Sequence, residues 1–349
     1  MPEAFLALPE VISTVEELEE VLSRPGPGVV DSVRQLDGDF LILGVGGKMG
    51  PTLAWQLKRA LEATGKTARV YGVARFSTPG LQQKLASWGV ETIACDLLER
   101  GALDALPAAK NVFYLAARKF GSTGNEPYTW AMNTYLPGMV AERFAASRIV
   151  ALSTGNVYPL SPVTWGGSKE TDAPVPLGEY AQSCLGRERL FQYFSSRYGT
   201  PVTLIRLNYA VELRYGILLD IAQKVYRQQP IPLAMGNVNV IWQGDANAYI
   251  IRALTTCASP PAVFNLTGPE TLSVRWLAQQ FGAAFGLEPI WEGEEASTAL
   301  LSDAARLFAR FGYPTVPYQR LIPWIVHWVT SNAPTLGKPT HYEEREGKF

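Results

Sequence analysis

The chain has 349 residues and carries 31 Lys and Arg against 32 Asp and Glu, a formal net charge of −1. At roughly 150 residues per domain this length predicts one large or two modest domains, and the balanced charge excludes the basic footprint of a general nucleic-acid binder. With 47% hydrophobic and 18% charged residues, extensive disorder is excluded and a globular protein with small-molecule partners is expected.

The chain has two histidines, His327 and His341, and neither has a cysteine or carboxylate at ligand spacing, so no metal site and no His-based triad is expected. Cys95, Cys184 and Cys257 are too scattered for a disulfide framework and fit a reducing compartment. Residues 1–20 contain no cationic leader, and no apolar run reaches the roughly 18 residues of a membrane span. A cytoplasmic protein is expected, bound to neither membrane nor nucleic acid.

Thr14-Val15-Glu16-Glu17 reads as a capping box opening a helix with Val15, Leu18 and Leu22 on its apolar side, ended by Pro25-Gly26-Pro27-Gly28. Residues 1–36 are thus a helical extension laid across the main domain. From Phe40, apolar runs at 40–43, 69–73, 92–95, 112–115, 149–152 and 202–205 alternate with helical stretches at 51–63, 79–88 and 136–146. Unbroken apolar strands separated by helices require a parallel sheet covered on both faces, so the predicted fold is α/β, a Rossmann-type doubly wound parallel sheet. After Asn208 the alternation weakens, residues 215–232 lack a clear period, and helical patterns return at 273–285 and 320–329. This half reads as a smaller, discontinuous C-terminal region that caps the substrate. The predicted division is 37–212, joined by 236–262, for the dinucleotide-binding domain, 213–235 and 263–330 for the cap, and 331–349 for a loosely held polar tail.

The first strand runs directly into Gly44-Val45-Gly46-Gly47-Lys48-Met49-Gly50 and then a helix. Glycines permit a tight turn and close backbone approach, so a pyrophosphate can meet unpaired amides at the positive helix end. The strand before and helix after make this a dinucleotide-binding turn. At the end of the second strand an acid would accept bonds from a ribose 2′-hydroxyl and repel a 2′-phosphate. Val73-Ala74-Arg75-Phe76-Ser77 has none. Arg75 can fork a phosphate, Ser77 can donate a hydroxyl and Lys48 can add charge, which favours NADP, with NAD as the other cofactor compatible with the fold.

Further segments follow in order: Cys95-Asp96-Leu97, Val112-Phe113-Tyr114-Leu115-Ala116-Ala117, Asn133, Leu152-Ser153-Thr154-Gly155-Asn156-Val157-Tyr158, Glu170-Thr171-Asp172-Ala173-Pro174, Tyr180, Arg206-Leu207-Asn208 and Phe264-Asn265-Leu266-Thr267-Gly268. Together with the glycine turn they resemble the extended short-chain dehydrogenase/reductase family of NAD(P)-dependent sugar epimerases, dehydratases and reductases. The resemblance covers about residues 38–330. It implies that Gly44, Gly46, Gly47, Lys48, Met49, Gly50, Arg75, Ser77, Asp96, Leu97, Ala116, Ala117, Asn133, Tyr180, Cys184 and Asn208 surround the dinucleotide, with Asp96 at the adenine. It also puts Thr154 at the catalytic Ser/Thr position and Tyr180 at the catalytic Tyr.

One departure stands out. The family uses Tyr-x-x-x-Lys on a helix, and here Tyr180 is followed four residues on by Cys184. In the family the ammonium bonds the nicotinamide ribose and lowers the tyrosine pKa from roughly 10. A thiol has no charge with which to do so. Three readings stay open: another cation from Arg118 or Lys119 rebuilds the site, a neutral phenol suffices because the cofactor carries the hydride, or the protein is a non-catalytic nucleotide-binding sensor or scaffold. Lys119 is the catalytic candidate among the cations, and Arg187 lies two turns from Tyr180. The leading expectation is an NADP-dependent oxidoreductase or epimerase acting on a sugar, sugar nucleotide or related polyhydroxylated carbonyl compound. The resemblance also implies a homodimer through the helices at 180–197 and 136–146, with Phe191, Tyr193 and Phe194 as apolar surface.

Overall fold

The computed structural model describes residues 8–119 and 121–348, so residues 1–7 of the N-terminal extension and the last residue of the tail lie outside the described residues. Seven strands form one parallel sheet in the spatial order Ala262–Leu266, Val202–Leu207, Arg148–Thr154, Asn111–Tyr114, Phe40–Leu43, Val70–Ala74 and Glu91–Ala94. The chain winds outward from Phe40–Leu43 to one edge, then returns to Asn111–Tyr114 and winds to the other. Connections leave these two neighbours on opposite sides, which opens a crevice at their carboxyl ends.

The strands are short apolar runs because both faces are covered. Alternate residues serve the two cores: Phe40, Ile42, Phe113, Val150 and Ile205 pack against helices Pro27–Arg34, Gly50–Thr64 and Gln243–Arg252. Leu41, Leu43, Val112, Tyr114, Ile149 and Leu204 pack on the other side against helices Leu136–Arg143 and Gly178–Tyr198. A third core joins Leu18 and Leu22 of the N-terminal helix to Ile217, Phe281, Trp324 and Trp328 of the C-terminal half. Thr14 accepts from the Glu17 amide and the Glu17 carboxylate accepts from the Thr14 amide, completing the capping box.

The structure corrects the sequence reading at four places. Pro27 does not merely end a helix: it occupies the first turn of a second one, Pro27–Arg34, where its missing N–H costs nothing. The aperiodic stretch 215–232 contains the helix Ile217–Tyr226, whose Ile217, Leu218, Ile221, Ala222 and Val225 are all buried. Residues 262–266, divided between core and cap in the sequence reading, pair in parallel with Val202–Leu207 as the sheet's edge strand. The tail is not loosely held. Thr340 donates through its amide and its hydroxyl to Asp220, Arg345 donates to the Ala234 and Thr298 carbonyls, and Tyr342 is buried. Among the described residues no helix is long and apolar enough to cross a membrane.

Candidate active site

The glycine turn closes the first strand for two different reasons. Gly44 has φ +90°, and a Cβ there would strike the Ala116 amide at 2.7 Å, while one at Gly50 would strike the Val45 carbonyl. Gly47 is different: a Cβ would meet only the Gly44 carbonyl at 3.4 Å, so the protein's own packing does not demand glycine there. Beside it opens a cleft of about 400 Å³ lined by Gly44, Gly46, Gly47, Arg75, Ser77, Asp96, Leu97, Ala116, Ala117 and Lys338. A glycine cradle at a helix N-terminus, opening on a cleft with cationic walls, fits a dinucleotide. Arg75 reaches out over this cleft, 61% exposed, with the Asp96 carboxylate 3.8 Å away and the Tyr128 hydroxyl at 3.4 Å.

Lys48 departs from the sequence reading, which turned it toward a 2′-phosphate. Its Nζ donates to the Ala210 carbonyl at 2.6 Å and lies 4.7 Å from the Tyr215 ring centre. It therefore faces a second cavity, of about 180 Å³, which also takes in Met49, Lys119, Thr154, Asn156, Tyr180, Asn208 and Thr340. The glycine turn is a wall common to both spaces.

Thr154 ends its strand at this cavity and accepts from the Asn156 amide at 3.2 Å and the Asn156 side chain at 3.0 Å. The Tyr180 hydroxyl lies within hydrogen-bonding reach of the Thr154 hydroxyl and the Cys184 thiol. Burial pushes the phenol well above its ordinary pKa; Cys184 adds to that shift, while Arg187 and Thr154 oppose it. Burial likewise raises the fully enclosed Cys184 thiol, which makes it a poor nucleophile.

The two adjacent cation candidates separate in the fold. Arg118 turns away, stacking on Tyr128 and donating to the Gly121 carbonyl. Lys119 sits 5.9 Å from the Tyr180 ring centre, and burial lowers its pKa to about 8. Arg187, two helical turns from Tyr180, also counts: its buried guanidinium donates to the Leu152 carbonyl and the Asn133 side chain, and its charge is felt at Tyr180.

Asn133 lies in a π-helical turn, Ala131–Tyr135, between two α-helical segments. Its side chain accepts from the Arg118 amide and from Arg187, and donates to the Arg118 carbonyl and the Ser183 hydroxyl. Fully occupied in this way, it pins the strand-end loop and does not face the cleft. Asn208 is buried at the second cavity and donates to the Leu300 carbonyl at 3.2 Å. Phe191, offered as dimer surface, is fully buried edge-on to Tyr114. Sequence reasoning missed Asn156, Tyr215, Lys338 and Thr340. The first lay inside a quoted segment, whereas the last two lay in a tail with no periodicity.

A doubly wound parallel sheet with a glycine-rich first turn and a second cavity at its carboxyl edge is the architecture of a Rossmann-type dinucleotide fold. Residues 40–211 match the model of the NAD dependent epimerase/dehydratase family. No curated protein matches the chain in sequence. Similar solved structures include a UDP-glucose 4-epimerase from Thermotoga maritima with UDP-glucose, at 15% identity and TM-score 0.68, covering 84% of this chain and 99% of that one. An epimerase from Methanothermobacter thermautotrophicus is similar at 19% identity and TM-score 0.71, over 88% and 96%. A dTDP-glucose 4,6-dehydratase from Streptomyces venezuelae, solved with NAD, is similar at 17% identity and TM-score 0.71, over 84% and 97%.

Proposed function

We propose that this protein is an NADP-dependent oxidoreductase or epimerase acting on a sugar, sugar nucleotide or related polyhydroxylated carbonyl compound, with an atypical site that keeps Tyr180 and has Cys184 in place of the lysine. The observation that carries this is the shared wall between the glycine cleft and the cavity where Thr154 and Tyr180 meet beside Lys119. The dinucleotide, held by residues 37–212, supplies the hydride. Thr154 and Tyr180 orient the substrate oxygen. The phenol, kept neutral by burial, gives its proton to that oxygen as a carbonyl is reduced and recovers it in the reverse direction. Lys119 takes over the electrostatic part of the missing lysine, stabilising the phenolate as it forms. Residues 213–235 and the C-terminal part supply the substrate's other contacts, and the three free thiols suit a cytoplasmic protein.

The deciding assay follows oxidation of NADPH with a panel of keto-sugars and keto-sugar nucleotides, alongside isomer formation from the corresponding alcohols. Tight NADPH binding with no conversion across the panel would favour a sensor or scaffold, the reading to which the Cys184 departure gives weight.

Two further results are expected. NADPH binds more tightly than NADH, and Arg75→Ala narrows the gap about tenfold, the effect of one charge-assisted fork on an exposed side chain. Equal affinities in the parent protein, measured by calorimetry, would defeat NADP preference. Gly47→Val, at a position where a Cβ meets only the Gly44 carbonyl at 3.4 Å, is expected to keep the melting temperature near the parent's yet weaken either dinucleotide by more than about tenfold by filling the phosphate's place. For assembly, we place a homodimer contact on the exposed Tyr193 and Tyr198 of helix Gly178–Tyr198, and light scattering at micromolar protein giving a monomer mass would remove it.

A further inference from the structure

We propose that the substrate is a sugar acid or its nucleotide conjugate, and that Lys48 receives its carboxylate in the Tyr180 cavity. This rests on the oxidoreductase or epimerase reading of that cavity and names its substrate class.

Lys48 leaves the glycine turn on the side away from the dinucleotide cleft. An ammonium has three N–H donors, and the protein supplies one acceptor, the Ala210 carbonyl, with the Tyr215 face beside it. The surrounding wall is built of hydroxyls, amides and aromatic rings, including Thr154, Asn156, Tyr180 and Asn208. Among the described residues lining the cavity, none is acidic. The carboxylate whose charge reaches Lys48, Glu212, is already bound by Arg214 at 3.1 Å, and that guanidinium acts on Lys48 in the opposite sense. Arg214, which Glu19 also binds at 3.1 Å, offsets part of the Glu212 attraction, and among the described residues no carboxylate pairs with Lys48 directly. Burial accordingly lowers its pKa to about 8.

Carrying such a charge is costly unless a ligand balances it. A carboxylate matches it singly: one negative charge, two oxygens for the remaining donors, and neighbouring hydroxyl and amide groups for its other lone pairs. Lys119, the second cation lining this cavity, stands beside Tyr180 and Cys184, where the oxidoreductase reading already employs it, so the charge that Lys48 itself has to match is a single one.

The test is calorimetry on protein saturated with NADPH, using two matched pairs that differ only by carboxylate against hydroxymethyl: UDP-glucuronic acid against UDP-glucose, and glucuronate against glucose. In at least one pair the acid is expected to bind at least tenfold more tightly. At pH 8 its binding should take up a fraction of a proton, seen as heats that change with the buffer's ionisation enthalpy. Lys48→Met should erase the preference and Lys48→Arg should keep it, both with parental melting temperatures. Equal or better binding of the neutral partner in both pairs, no binding in either pair, or a preference that survives Lys48→Met would overturn the proposal. If Lys48→Met instead weakens NADPH in the absence of sugar, the lysine serves the cofactor's phosphates, and the proposal falls while the oxidoreductase reading stands. Should Gly47→Val leave NADPH binding intact, it is the oxidoreductase reading that fails.

Discussion

Tyr180→Phe is expected to lower turnover by about 10²- to 10⁴-fold, the usual worth of a positioned acid–base group, with NADPH affinity and melting temperature near those of the parent. The phenyl ring keeps its packing among Val157, Tyr158 and Cys184, so the substitution removes one hydroxyl and buries no new charge. A companion effect separates the two ways in which the missing lysine is replaced. If Lys119 supplies the field, Lys119→Ala lowers kcat strongly and turnover falls as pH rises through about 8, because the lysine loses its proton there and the phenol is left with only Arg187 and Thr154 to oppose its burial. If the neutral phenol is sufficient, Lys119→Ala acts mainly on KM and the profile is flat across that range. Cys184→Lys adds a test from the other direction. The new ammonium helps only where a ribose and a phenol await it, and otherwise destabilises the helix as a buried unpaired charge. Full activity in Tyr180→Phe on the true substrate would make this tyrosine structural and end the analogy with the family's chemistry.

Glu188→Ala should cost about 3–5 kcal/mol of stability, because it strands a buried guanidinium. Arg206 and Glu188 are 4% and 0% exposed and meet through two parallel bonds, Nε to Oε1 at 3.0 Å and a terminal nitrogen to Oε2 at 2.7 Å. Ser153 donates to Glu188 at 2.6 Å. On the far side Arg206 donates to the Tyr158 hydroxyl, which donates in turn to Asn265 of the edge strand. The network thus ties the strand that ends at Thr154, the Tyr180 helix and two more strands together, and Ser153 immediately precedes Thr154. Replacing both partners by apolar residues, as in Glu188→Leu with Arg206→Met, should recover much of the loss, since a buried ion pair adds little beyond a well-packed apolar pair. Denaturant melts that place Glu188→Ala within about 1 kcal/mol of the parent would show that water reaches Arg206 and that the network is not sealed.

The central sheet was legible because strands buried on both faces are written as unbroken apolar runs, and six of them were found within a residue or two at their starts. The glycine turn was equally legible, as was the Tyr180–Cys184 departure, because both are matters of residue type at fixed spacing. The edge strand Ala262–Leu266 was misplaced because it carries a buried Asn265 whose partners, Ser168, Asp303 and Tyr158, lie far away in sequence. The tail gave no signal, since its order rests on hydrogen bonds such as Thr340 to Asp220 across 120 positions. The same limit applied inside the site. Sequence offered Arg118 and Lys119 as adjacent cations with Lys119 the candidate, but where each points was decided by Asn133 and Tyr128, which fix the first and leave the second beside Tyr180. Lys48 could be assigned to the turn but not to a side of it, until Ala210 and Tyr215 folded against it. Local pattern encodes which residues must be buried and with what period; the direction in which a loop side chain points is set by partners that only the tertiary fold brings within reach.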